Sequence, residues 1–268
     1  MNKKQFITFL TVTVLLFMTG FKSVAQDGNI NGDTSIQIKK EKKTNLNRNF
    51  LKINITAIAF KNYSLQYERT LNRKFSFALS FRFMPSSDIP FKSTVLKIVN
   101  DQGDTKRTIE DFRLSNTAIT PEFRFYLSRK GYGRGFYIAP FYRYATFKTT
   151  DLDIFYNDNS GTQNTIKLSG KLTGNTGGLL FGMQYPLGRH VVLDIQLLGP
   201  HFGSAKGDFS GISAKPLTTD EQDQIRSNLD IDIPLIDRTI NVTANNASLK
   251  LNGSWGGVRA GISLGVRF

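Results

Sequence analysis

Alternation of apolar and polar side chains is clearest in the last twelve residues of the chain, 257–268. The apolar side chains there fall on one face of an extended strand, while Arg259, Arg267, glycine and serine fall on the other. A buried strand would not place two arginines on its covered face, and a surface strand of a soluble protein would not expose six apolar side chains. The pattern is typical of a strand with lipid outside and a polar lumen inside.

The same two-faced pattern recurs upstream and predicts eight strands in all. In the third strand, Phe75, Phe77, Leu79, Phe81 and Phe83 alternate with small residues and one arginine. The fifth strand is aromatic on both faces, and its arginine at position 143 indicates that odd positions point inward. The predicted strands cover about 51–60, 63–71, 75–83, 112–127, 136–148, a stretch ending at 185, 191–197 and 257–268.

The connections between these strands alternate in length. Turns at 72–73, 128–135 and 186–190 are short, whereas the segments 85–111, 151–165 and 204–248 are long; the tight turn at 61–62 is the exception. Short periplasmic turns and long extracellular loops predict this alternation, with both termini in the periplasm. Inside the longest connection, Thr218 and Glu221 form a capping-box pattern that predicts a short helix through Ile225 to Leu229. We therefore expect an all-β fold, an eight-stranded antiparallel transmembrane β-barrel over residues 50–268.

The N-terminal segment has the pattern of a secretory signal peptide. Lys3 and Lys4 precede an apolar run from Phe6 to Met18, and Ser23-Val24-Ala25 supplies a small-x-small cleavage site. The apolar run is too short for the ~20 residues that a spanning helix needs. We expect a signal peptide at 1–25, cleaved after Ala25, and a disordered periplasmic lead-in at 26–49. The lysine-rich run 39–43 is either a contact with a lipid surface or a plain solvated segment.

Composition adds exclusions to this picture. The chain has 22 Phe and 9 Tyr against one Trp, which suits aromatic girdles at two membrane interfaces. It has no cysteine and only two histidines, so we expect no disulfide, metal site or cofactor. A formal net charge of +14 raises the question of nucleic acid, but export from the cytoplasm argues against that partner.

Charged side chains on the inward faces are the candidate functional residues. Two interpretations stay open: a network that fills the lumen, or an ion pathway or binding pocket. An eight-stranded barrel is just wide enough inside for side chains, which favours the filling network. An excess of cations over acids leaves an anion site open. The residues are Lys52, Glu68, Arg82, Glu122, Arg124, Arg143, Asp194, Arg259 and Arg267.

His201 and Ser204 raise the possibility of a lipid hydrolase, because a nucleophile needs a base within hydrogen-bond reach. In a continuous strand, however, the residue on the face of His201 is Gly203, and Ser204 points the other way. We therefore expect the protein not to be an enzyme.

The last eight residues, 261–268, resemble the C-terminal strand of outer-membrane barrels, which ends in an aromatic residue. The segments 64–69, 137–144 and 185–194 resemble small outer-membrane barrels of Bacteroidota, of the OmpX- and OmpA-like eight-stranded type, many of which have no assigned function. The resemblance implies a cell outer-membrane location in a Gram-negative bacterium and makes Phe268 an assembly signal for the barrel-assembly machinery.

The expected function is structural or surface-binding, through the extracellular loops, in a monomer surrounded by outer-membrane lipid. The alternatives are a narrow channel for small anionic solutes and a lipid-modifying enzyme. The long segment 204–248 either caps the barrel, plugs it or binds a partner. Neither the external ligand nor its class follows from the sequence.

Overall fold

The computed structural model describes residues 48–88, 92, 112–129, 131–230 and 235–268. The expected signal peptide and nearly all of the expected lead-in lie outside these residues, as does most of the connection 85–111. The chain forms nine strands and two helices in the described ranges: β1 Asn49–Asn54, α1 Ile55–Ala59, β2 Tyr63–Thr70, β3 Phe75–Asp88, β4 Arg113–Tyr126, β5 Gly135–Asn157, β6 Gln163–Pro186, β7 Val191–Ile212, α2 Thr219–Leu229, β8 Ile236–Val242 and β9 Asn246–Arg267.

The strands form one antiparallel sheet that closes on itself. Each strand from β1 to β7 pairs with the next, β7 pairs with β9, and β9 pairs back to β1 through registers such as Ile53 with Leu264. Eight strands therefore make the ring, and the all-β antiparallel barrel expected from the alternation is confirmed at this level. The ninth strand, β8, lies outside the ring and extends the sheet beside β9 at 247–253.

The two ends of the described barrel differ in the elements that they carry. Asn49 and Phe268 exchange backbone hydrogen bonds of 3.0 and 2.9 Å at one end, and the Arg267 amide donates to the carbonyl of His190 in the β6–β7 turn. We call this end, with the short turns, the lower end. At the opposite, upper end, β5, β6, β7 and β9 continue well beyond the first four strands. This end also carries α2 and β8.

Several predicted boundaries were wrong, including the end of the first strand and the connection between the fifth and sixth strands. The first predicted strand continues to residue 60, but β1 ends at Asn54, whose side-chain oxygen accepts from the Ala57 amide at 2.9 Å and starts α1. The predicted connection 151–165 shrinks to 158–162, because β5 and β6 pair up to Asn157 and Gln163.

The predicted connection 204–248 is mostly regular structure. It contains the upper part of β7, the helix α2, the strand β8 and the start of β9. The capping box is confirmed: the Thr218 amide donates to Glu221 at 2.8 Å, and the Glu221 amide donates back to the Thr218 hydroxyl at 3.4 Å. The strand β8 was missed.

The outer surface of the ring carries a broad belt of exposed apolar side chains. The belt runs through all eight strands of the ring and is rich in Phe and Tyr, with Phe81 half exposed on β3. Among the described residues, no helix has the length and apolar character needed to cross a membrane. Belt members include Leu51, Leu65, Phe77, Phe81, Phe123, Tyr142, Tyr144, Phe181, Leu197, Phe202 and Leu264.

In β5 and β7, β-bulges switch which residues point inward along the strand. In β7 the register shifts between Gln196 and Gly199, so even positions face inward below the shift and odd positions above it. In β5 the shift lies between Thr149 and Leu152, where Asp151 has a left-handed φ of 62°. Below this bulge the odd positions point inward, as expected from Arg143, and above it Ile154 and Tyr156 do.

A second core lies at the upper end, enclosed by the extended strands. The segments 152–157, 163–170, 208–230 and 236–250, which we call the cap, bury Ile166, Leu168, Ile225 and Leu229 against one another. Helix α2 lies against β5 and β8 and closes the gap between these two sheet edges. The cap thus has its own apolar core, as a small soluble domain would.

Hydrogen bonds seal the free edge of β5 against α2. The Gln224 side-chain amide accepts from the Asn157 amide at 2.9 Å and donates to the Asn157 carbonyl at 3.1 Å, as a neighbouring strand would. The Asn228 side chain donates to the carbonyl of Phe155 at 2.8 Å. Exposed edges invite pairing with other chains, and here α2 occupies this one.

Candidate functional site

The structure places all nine charged side chains singled out in the sequence on the inner face of the ring. Eight are buried, and Arg82 is half-buried. They do not form one cluster. Lys52, Glu68, Glu122, Arg124 and Asp194 make a network in the lower lumen, Arg82, Arg143 and Arg259 lie above it around a cavity, and Arg267 lies at the lower rim.

Lys52 holds the centre of the lower lumen network. Its ammonium group pairs with Glu68 and with Asp194 at 2.6 Å, and it donates to the Gln184 side-chain oxygen at 2.5 Å. All three charged side chains are fully buried. Burying charges is costly unless they are paired and hydrogen-bonded, and this arrangement meets that requirement.

Arg124 joins the same carboxylates to a third one. Its guanidinium lies 2.7 Å from Asp194, 3.1 Å from Glu68 and 2.9 Å from Glu122, and it also donates to Gln66 at 3.0 Å. The network therefore links β1, β2, β4, β6 and β7 across the ring. Where these side chains meet, they are fully buried and fill the described part of the lumen.

Two tyrosines complete the carboxylate contacts. Tyr126 donates to Glu68 at 2.6 Å, and Tyr137 donates to Asp194 at 2.8 Å. The ring of Tyr137 also lies 4.4 Å from the Arg124 guanidinium, a cation–π distance. Gly182 leaves the space for Tyr137, because a Cβ at that position would lie 2.3 Å from the tyrosine hydroxyl.

Above the network lies a small polar cavity with a cationic wall. Arg82, Arg143 and Arg259 line it together with serine, threonine, asparagine and glutamine side chains. Glu122 reaches it through one ion pair, 2.7 Å from Arg259. We call the three arginines the upper arginine cluster. The free space at the centre is about 10 Å³, room for about one water molecule.

His201 points into the lumen and not toward Ser204. Its ring makes an edge contact with Phe141 at 6.0 Å, and Phe141 in turn lies under Arg259 at 4.4 Å. Ser204 is exposed on the outer face. A nucleophile and its base must lie within hydrogen-bond reach, and this pair does not.

The cap contains its own charged site, around Lys215. Its ammonium lies 3.3 Å from Glu221 and 3.6 Å from Asp158. The hydrogen bond from the Thr218 amide lowers the pKa of Glu221. The Ser160 hydroxyl and the Thr162 amide hold the pKa of Asp158 well below its usual range. Both carboxylates are therefore ionised at neutral pH and fasten the β5–β6 turn to the start of α2.

The alternation places the neutral members of the lower lumen network on the inward faces of their strands, but it does not assign them to the charge network. Gln66, Tyr126 and Gln184 alternate in phase with charged neighbours such as Glu68 and Arg124, and this parity was visible in the sequence. Which of them touch could not be read, because contacts across the ring depend on the stagger of non-neighbouring strands.

Comparison with known proteins identifies a family. Residues 33–209 match the family described as "Protein of unknown function (DUF3575)", which is well over half of the chain. The chain belongs to the DUF3575 family. In this DUF3575 protein the match ends within β7, so α2, β8 and β9 lie beyond it. No curated protein and no solved structure matches the chain.

Proposed function

We propose that this DUF3575 protein is a closed barrel of the bacterial outer membrane that presents its cap at the cell surface as a binding module. The apolar belt supports the membrane location, because a soluble barrel would be polar on its outer face. The likeness of its C-terminal strand and three inner segments to small outer-membrane barrels of Bacteroidota points the same way.

The outer surface changes character just above the belt, where a lysine row begins. Lys148 lies opposite Lys171 across β5 and β6, and Asp208 lies between Lys171 and Lys250. Like charges directly opposite one another destabilise a sheet unless they gain something from their surroundings. Phosphate-bearing lipid headgroups at the outer leaflet would supply that gain.

The observation that carries the surface role is closure of the lumen at two levels. Below, the lower lumen network fills the ring with interlocked charges. Above, Trp255 packs on Phe147 at 5.8 Å, and the apolar core of the cap follows. A pore needs a continuous polar path, and an apolar plug opposes one. The closed lumen therefore favours a supporting role for the barrel and a binding role for the cap.

The absence of cysteine from the chain allows a clean test of topology. We expect Ser160→Cys, in the β5–β6 turn of the cap, to react with a membrane-impermeant maleimide on intact cells. Arg189→Cys, in the β6–β7 turn at the lower end, should react only after the outer membrane is permeabilised. Equal labelling of the two variants in intact cells, or extraction of the protein without detergent, would contradict the proposal.

The narrow anion channel is the alternative, and the cationic cavity is the observation in its favour. Purified protein in a planar bilayer separates the two. The closed barrel should show no discrete openings in potassium chloride, whereas a channel would show steps with anion selectivity. Such steps in the wild-type protein would replace the proposal by the channel.

A further inference from the structure

In the described part of the lumen above its lower rim, positive charge exceeds negative charge. Five cationic side chains, Lys52, Arg82, Arg124, Arg143 and Arg259, face three carboxylates, Glu68, Glu122 and Asp194. The lower lumen network uses all three carboxylates, and Glu122 is shared between Arg124 and Arg259. The surplus therefore lies in the upper arginine cluster.

Arg259 is the best-defined member of that cluster. Its residue is 8% exposed, and one terminal nitrogen pairs with Glu122. Among the residues that the structure describes, its Nε and its other terminal nitrogen have no hydrogen-bond partner. Leaving a buried donor unsatisfied destabilises the folded state, and it does so more strongly when the group is charged. Within the described residues, neither Arg82 nor Arg143 forms an ion pair, and Arg143 is 7% exposed.

The cavity between these guanidinium groups offers further donors. Its wall includes the hydroxyls of Ser80, Thr120 and Ser263 and the side-chain amides of Asn54 and Gln196. The free volume of about 10 Å³ is far too small for a sugar or a lipid headgroup. A single-atom anion matches both the charge and the size.

We propose that the upper arginine cluster binds one chloride ion between Arg143 and Arg259, as a structural counter-ion inside the lumen. The ion takes the hydrogen bonds that Arg259 lacks and offsets the repulsion among three neighbouring cations. This site does not depend on the proposed surface role of the cap. It also differs from a pathway, because the lower lumen network closes one side of the cavity.

Chloride dependence of stability tests the proposal. The full chain, folded in detergent micelles, is heated in sodium chloride or in sodium gluconate at constant sodium concentration. A ligand that binds the folded state adds about 1.4 kcal/mol for each tenfold rise above its Kd, so the unfolding midpoint should rise by about 3–5 °C per tenfold rise in chloride. Bromide should act like chloride, and gluconate should have no effect.

The Arg143→Gln variant tests the site from the other direction, because it should lose the chloride dependence without losing stability in gluconate. Removing one unpaired cation relieves repulsion, so in gluconate the variant should unfold at the same temperature as the wild type or at a higher one, and its chloride dependence should vanish. Arg189→Gln, in an exposed turn, should keep the wild-type dependence. If Arg143→Gln fails to fold, Arg82→Gln serves the same purpose.

Three results would overturn the site. They are equal midpoints of the wild type in chloride and gluconate, an unchanged chloride dependence in both arginine variants, and equal loss of that dependence in Arg189→Gln. Crystals soaked in bromide provide the direct location. An anomalous peak in contact with Arg143 and Arg259 is expected, and an empty cavity at high bromide would refute it.

Discussion

A single glycine in the lumen leaves the space that the side chain of Tyr137 occupies. Gly182 faces inward on β6, and a methyl group there would lie 2.3 Å from the Tyr137 hydroxyl and 2.9 Å from the Ile195 carbonyl oxygen. Gly177, on the same strand, faces outward and has no atom closer than 3.9 Å to a built Cβ. The two positions form a matched pair in which only the interior space differs.

Gly182→Ala should therefore destabilise the protein, whereas Gly177→Ala should not. Displacing Tyr137 breaks its hydrogen bond to Asp194 and overpacks the lumen, which typically costs about 1–3 kcal/mol. Gly177→Ala should change stability by no more than about 0.5 kcal/mol. Urea unfolding in lipid vesicles measures both variants, and equal stability of the two would show that Tyr137 can move without cost.

Among the elements, the cap behaves as a unit that rests on the barrel. Its core residue Ile225 is fully buried, while Ile212, at the end of β7, is 84% exposed. The helix α2 contacts β5 and β8 and has its own capping box. The apolar core of the cap is separate from the buried cluster around Tyr126 and Tyr137 in the ring, which favours local opening of the cap while the ring stays intact.

We expect Ile225→Ala to loosen the cap and leave the lower barrel unchanged. Removing a buried Ile side chain to Ala costs about 2–5 kcal/mol, and the loss should appear as faster hydrogen exchange in α2 and β8. Exchange in β1–β4 should not change, and Ile212→Ala should exchange like the wild type throughout. A similar acceleration in β1–β4 would mean that cap and ring unfold together.

The sequence predicts some of the strands and helices and not others. Alternation identified the belt strands, and Thr218 with Glu221 identified α2, because both signals are local. The upper strands carried a comparable signal, such as Ile166 and Leu168 between Thr165 and Lys167, or Ile236, Ile240 and Val242. The predicted connection 151–165 ends just before Ile166, whereas Ile236, Ile240 and Val242 fall inside the predicted connection 204–248. Bulges such as that in β5 also reverse the phase of the alternation within a strand.

On the scale of the whole molecule, the lower lumen network acts as a cross-tie, by which we mean a set of ion pairs that joins strands that are not neighbours in the ring. Lys52 on β1 reaches Glu68 on β2, Gln184 on β6 and Asp194 on β7, so it connects the β1–β2 pair with the β6–β7 pair, and these two pairs are not neighbours in the ring. Parity alone predicted that these charges face inward. Their pairing was beyond the sequence, because it depends on how the closed ring staggers its strands.

Lys52→Met should destabilise the whole barrel, because it leaves Glu68 and Asp194 with Arg124 as their shared cation. Breaking a buried ion pair by removing one partner costs about 3–5 kcal/mol. Adding Glu68→Gln to Lys52→Met should recover part of the loss, since the charge balance returns. Urea midpoints measure this cycle, with the exposed Lys206→Met as the control. No loss in Lys52→Met, or no recovery in the double variant, would contradict the cross-tie.

The bulge at Asp151 adds one residue to β5, so the side chains that point inward are at odd positions before it and at even positions after it. Below the bulge, the odd residues of β5 point into the barrel. Above it, Ile154 and Tyr156 point into the core of the cap. Loss of one residue at the bulge would turn the cap segment of β5 inside out and spare the barrel segment. A deletion at this point should therefore disrupt the core of the cap, which contains Ile154 and Tyr156, while the strand pairing of the ring below it stays the same.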